Sequence, residues 1–159
     1  MTSAGIQSLI PSVSSRDQHT KLPKTDPIST AASVFGVIGA IASVTSTATT
    51  FMCDMRAARK EMVAIKKELS ALRVVLEILA EDFHDPSSTN LPDSVLQQVV
   101  GVAGECRRVV GGIGDCIRVS QERSGFTWAR SDRAEIQKLQ ADLEVQKSIL
   151  SVTLDLVSV

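Results

Sequence analysis

An all-α fold, an antiparallel four-helix bundle behind a disordered N-terminal tail, follows from three features of this sequence. Apolar residues recur at alternating steps of three and four through four segments, the signature of helices with one buried face. Aromatic residues are scarce, with one Trp, four Phe and no Tyr, which leaves the core to Leu, Val, Ile and Ala. The connections are short and punctuated by Pro, Ser and Gly, which makes an antiparallel bundle the default packing. A chain of 159 residues and 17.0 kDa supports one hydrophobic core.

Residues 1–25 are rich in Ser, Thr, Pro and Lys without a sustained period, and read as a flexible tail ahead of a helical domain over residues 26–159. No basic cluster precedes an apolar run there, so a secretory signal is not expected; a transit peptide is the alternative reading. The first helix is expected to start at Asp26-Pro27, because Asp caps a helix and Pro suits its first position. Ile28, Ala31, Val34, Phe35, Val37, Ile38, Ile41, Ala42 and Val44 cover a wide apolar arc, and Ser29, Ala32, Ser33, Gly36, Ala40, Ser43 and Thr47 form a small-residue face opposite. No Gly or Pro intervenes between Gly39 and Pro86, so the break before the second helix has no marker; the β-branched run Thr45–Thr50 is the expected weak point.

The second helix has the most regular seam: Met55, Ala58, Met62, Ile65, Leu69, Leu72, Leu76, Leu79 and Phe83. HDPSSTNLPD, residues 84–93, reads as a loop, with Pro92-Asp93-Ser94 opening the third helix. That helix runs through Val95, Val99, Val102, Cys106, Val109, Ile113 and Cys116, and its five glycines are expected to mark close backbone approach or a kink. After a turn at Ser124-Gly125, Ser131 or Asp132 can cap a last helix with the seam Ile136, Leu139, Leu143, Gln146, Leu150, Thr153 and Val157.

A net charge of −1 and few aromatics offer neither a basic footprint nor a stacking platform, so nucleic acid is not an expected partner. Cys53, Cys106 and Cys116 are odd in number and fall within apolar helical patterns, which suits reduced, buried thiols and a cytoplasmic location. GGIGD, residues 111–115, lacks both a preceding strand and a GKS or GKT sequence, so phosphate binding is not expected. EDFHD, residues 81–85, gathers three carboxylates around His84, but the only other histidine is His19, and a helix C-terminus explains His84 without a metal. No catalytic, cofactor-binding or metal-binding residues are assigned, and the chain reads as a non-enzyme. Trp128 precedes the last helix and reads as a hydrophobic staple, with a partner surface as the alternative.

The stretch from Asp26 to Asp54 has no charge between its ends. Its Ser, Thr and Gly content brings insertion as a lone span close to neutral, and no Trp or Tyr anchors flank it. Ala32, Gly36 and Ala40 repeat every four positions, which permits close helix approach in water or in lipid. Together with Val37 and Ile41 they form the candidate face for self-association or membrane engagement. The soluble reading is a helix buried on most sides at the centre of the bundle.

The opening DPIS-AASV-G-I, the long amphipathic EMVAIKKELSALRVVLEIL and the closing W-R-AEIQKLQADLEVQKSILSVTLDL resemble the fungal N-terminal domain of STAND proteins. That HeLo-like domain also goes under the azaphilone pigments biosynthesis cluster protein L name. The resemblance covers Asp26 to about Leu156 and implies a non-catalytic effector or signalling module that works through protein partners or self-association. Some members target membranes. In larger members an NTPase and repeats follow, neither of which is present before Val159. Free-standing members lie in secondary-metabolite gene clusters, so the alternative expectation is an accessory protein of an azaphilone or other polyketide pigment pathway, with an apolar metabolite as ligand.

Overall fold

The computed structural model of the chain describes residues 24–85, 91–123 and 128–158. The expected tail therefore lies outside the described residues apart from Lys24 and Thr25, as do residues 86–90 of the second loop and the turn at Ser124-Gly125. The described chain forms four helices and no strand: α1 (Pro27–Asp54), α2 (Arg59–His84), α3 (Asp93–Glu122) and α4 (Arg130–Val157). The all-α bundle is the fold.

Asp26 sits in extended backbone at the N-cap of α1, its carboxylate accepting the Ser29 N–H at 3.4 Å, with Pro27 at the first helical position. The Ser29 hydroxyl, with the Ser29 N–H as a lesser contribution, holds the Asp26 carboxyl below its ordinary value. The helix does not break at Thr45–Thr50. Thr47, Thr49 and Thr50 donate their hydroxyls to the carbonyls of Ser43, Thr45 and Ser46, so these side chains are satisfied within the helix. The break comes instead at Met55 (φ −126, ψ 88), followed by a single 3-10 turn over Arg56–Ala58. Met55 and Ala58 are both buried, which pins the reversal against the core.

All nine residues of the expected second-helix seam are buried. In α3 the buried face is wider than expected: Val99, Cys106, Val109 and Ile113 lie inside, joined by Leu96, Ala103, Val110 and Ile117 at seven-residue intervals, while Val95, Val102 and Cys116 are only half-buried. Leu96, Ala103, Val110 and Ile117 each directly follow an expected seam residue, about 100° around the helix from it and towards the core. α4 keeps its expected seam, with Gln146 and Val157 half-buried at its margin. Its cap is Ala129 rather than Ser131 or Asp132. Asp132 sits three residues in, where its carboxylate accepts the Ala129 N–H at 3.1 Å and the Arg123 guanidinium at 2.8 and 2.9 Å. Alanine has no acceptor, so only the return half of a capping box exists.

Each helix packs on two others, in the cyclic order α1, α2, α4, α3. Successive helices alternate in direction: the Phe35 ring meets His84 across α1 and α2, and Arg123 meets Asp132 across α3 and α4. The α2-to-α3 connection crosses the diagonal, so the other two contacts are between parallel helices. Glu61 pairs with Arg133 at 3.1 Å and Glu68 with Lys147 at 2.7 Å, in the same order along α2 and α4. This arrangement puts α1 at a corner rather than at the centre. It is not buried on most sides.

Candidate functional site

The inner stripe of α1 consists of Thr30, Ala31, Val34, Val37, Ile41, Val44, Ala48 and Phe51, all buried. Its outer side, with Ile28, Phe35, Gly39, Ala42, Ser46 and Cys53 exposed, carries no charge from Pro27 to Cys53. At 1.5 Å per residue this uncharged strip is about 40 Å long. Its polarity is lower than its Ser and Thr content suggests, because Ser33, Thr47, Thr49 and Thr50 all donate to carbonyls four residues back. α1 is the one helix among the described residues long and apolar enough to cross a membrane.

The five residues expected to share one face do not share it. Ala32 and Gly36 are on the outer side and Ala40 is half-buried, but Val37 and Ile41 are core residues at 1% exposure. A Cβ on Gly36 would meet only the Arg107 Nη1 atom, at 3.6 Å, and one on Gly39 would meet nothing within 4 Å. Gly36 and Gly39 therefore do not serve close packing inside the bundle. Among the five glycines of α3, only Gly112 and Gly114 are closely approached, by Leu139 and Val44 at 3.1 Å.

Two outer residues were hidden in the sequence pattern. Ile28 is 80% exposed and Phe35 is 48% exposed, although both belong to the apolar arc that also supplies the core. The signal was their place at the margin of the arc, away from the Val34, Val37, Ile41 and Val44 row. With Ala31, Ala32, Phe83 and His84 they line a cleft of about 220 Å³ at one end of the bundle. His84 is in the last turn of α2, as expected, its ring 5.7 Å from Phe35. Among the described residues no three His, Cys, Asp or Glu side chains are grouped to hold a metal ion.

The thiols divide by position. Burial pushes the Cys106 thiol up to about 12 and, with help from Asp132 and Glu135, the half-buried Cys116 up to about 11, so neither is a thiolate near neutrality. Cys53 is exposed, contrary to the expectation of burial. GGIGD lies within the continuous α3, where backbone N–H groups are committed to carbonyls four residues back rather than free to cradle phosphate. Trp128 does not staple its own helix, whose fourth residue is Arg133; it packs on Phe51 at 5.5 Å between ring centroids, tying the start of α4 to the end of α1. Trp128 is half-buried as a residue, and its indole N–H is buried without a hydrogen-bond partner among the described residues.

In comparisons with known proteins, no family model, no curated protein and no solved structure matches the chain.

Proposed function

We propose that this chain is a non-catalytic, cytoplasmic interaction and signalling module that engages a membrane surface through the outer face of α1. The observation that carries this reading is the roughly 40 Å helix face without a charge, exposed rather than packed. Ile28 and Phe35 are the side chains placed to enter the headgroup region. Withdrawing α1 to span a bilayer would strip α2 and α3 of the apolar cover that Val34, Val37, Ile41, Val44 and Phe51 give them, at a cost on the order of 10 kcal/mol. Docking of the outer face leaves that core intact. The resemblance to the fungal N-terminal domain of STAND proteins supports the same role, an effector end that works by association rather than chemistry.

Accessory work in a pigment pathway is the other reading that the resemblance allows. The apolar cleft beside Phe35, at about 220 Å³, is smaller than the roughly 300 Å³ at which small-molecule sites begin, and does not favour it.

Flotation of the purified chain with anionic and neutral liposomes tests the proposal. The native chain should float, and an Ile28→Asp, Phe35→Asp variant, whose changes lie outside the core, should remain helical by circular dichroism and stay at the bottom. Failure of the native chain to float on either lipid would overturn membrane engagement.

A further inference from the structure

Where α1 starts and α2 finishes, the cleft lined by Ile28, Ala31, Ala32, Phe35, Phe83 and His84 combines an apolar wall with an acidic rim. Its volume of about 220 Å³ suits the end of an aliphatic side chain better than a metabolite. Glu81, Asp82 and Asp85 flank Phe83 and His84, and no Lys or Arg occurs between Arg73 and Arg107. The partial negative charge at the C-terminus of α2 adds to theirs. The chemistry that fits is a short aliphatic segment joined to a basic one.

The sequence supplies such a segment, tethered to the cleft. Residues 1–23 lie outside the described residues and join them at Lys24, two residues before the Asp26 cap and four before Ile28. Ile6, Leu9, Ile10 and Val13 gather there without a charge among them, and Arg16, Lys21 and Lys24 follow, with Asp17 as the only acid before Asp26. We propose that residues 6–13 dock in this cleft, Leu9 and Ile10 against Phe35 and Phe83, with the basic stretch from Arg16 to Lys24 along the acidic end of α2. The docked segment covers Ile28 and Phe35, and so competes with a membrane for them. That consequence rests on the membrane reading above, whereas the docking does not.

Reach favours this occupant over others. From Asp26 to Phe35 the helix rises about 14 Å. Ile10 precedes Lys24 by 14 residues, and a random coil of that length averages about 20 Å from end to end. The tether therefore holds the segment near the cleft at an effective concentration on the order of millimolar. An affinity too weak to join two separate molecules is then enough to fill the cleft, and opposite charges on segment and rim strengthen it.

Alkylation of a reporter thiol reads the docking in the full chain. In a Cys53→Ser background, Ala32→Cys places the reporter in the cleft, and Ala42→Cys places one ten residues further along the outer side of α1. Adding Leu9→Ser and Ile10→Ser should speed the reaction at Ala32→Cys by about fivefold or more. Lys21→Glu with Lys24→Glu, or about 0.5 M salt, should give part of that gain. The Ala42→Cys rate should respond to none of these changes. Equal rates at Ala32→Cys with and without the serine changes would overturn the docking. Protection that grows between about 1 and about 100 μM protein would assign the cleft to the segment of a second copy and overturn the tethered contact. In flotation, the Leu9→Ser, Ile10→Ser variant should bind liposomes more fully than the native chain. Equal flotation of the two would overturn the competition, and flotation of neither, with the reporter still protected, would overturn membrane engagement while the docking stands.

Discussion

α1 and α2 are nearly the same length, adjacent and antiparallel, and each buries a single row of apolar side chains against the same core. Both expose a few large apolar side chains, Ile28 and Phe35 on α1 and Val63, Val74 and Ile78 on α2, but their outer sides differ in charge. α2 exposes Lys60, Lys67, Arg73 and Glu81 around its few outward valines, with an Arg73–Glu77 ion pair at 2.6 Å on its surface. α1 exposes alanine, glycine, serine and threonine, with Ile28 and Phe35 at one end. The inward rows explain why both are helices of this bundle, and only the outward rows distinguish a helix that is merely solvated from one available for contact.

Breaking either inward row should have the largest effect. Leu72→Ala in α2 and Ile41→Ala in α1, at positions almost fully buried, should each cost about 2–5 kcal/mol in urea unfolding followed by circular dichroism. A much smaller loss at Ile41 would mean that α1 is only loosely held, and would revive insertion of the whole helix.

Glycine replacements sharpen the comparison at the next scale. Gly39→Ala, with open space around the new methyl, should raise stability by up to about 1 kcal/mol. Gly114→Ala pushes a methyl to 3.1 Å from Val44 on the packed side of α1 and should lose most or all of that gain. Equal gains at both positions would show that the α1–α3 contact yields easily.

The smallest effect concerns the thiols and pH. An unfolded cysteine ionises near its ordinary value of 9.0, whereas Cys106 in the fold holds its proton until about 12. Above pH 9.0 the unfolded chain sheds a proton that the folded chain keeps, so stability should fall as pH rises towards 12. Cys106→Ala should flatten that slope. Cys53, on the outer side of α1, should be alkylated rapidly in the free protein.

Several features of the bundle were legible before any coordinates. The Asp26-Pro27 start of α1, the seam from Met62 to Phe83 and most of the α4 seam are local patterns, and the structure uses them as written, whereas Met55 and Ala58 are buried but lie in the reversal ahead of α2. The break between α1 and α2 was not legible, because Met55 leaves the helix to bury itself rather than under the influence of a Gly or Pro. The α3 face was read one residue off in places, since Val95, Val102 and Cys116 stand next to the equally apolar Leu96, Ala103 and Ile117 that the core takes. Among the candidate site residues, Ala32 and Gly36 lie on the outer side, whereas Val37 and Ile41, grouped with them, lie in the core, because successive residues on a helix point about 100° apart.

The sequence by itself determined four amphipathic segments, most of their ends other than the α1–α2 break, and the absence of charge between Asp26 and Asp54, because periodicity and capping act over a few residues and need no partner. Tertiary structure alone decided that α1 stands at a corner with Ile28 and Phe35 exposed, and that α2 connects to α3 across the diagonal. Those outcomes depend on which apolar rows bury one another, and that choice minimises exposed surface over the whole chain rather than along any one helix.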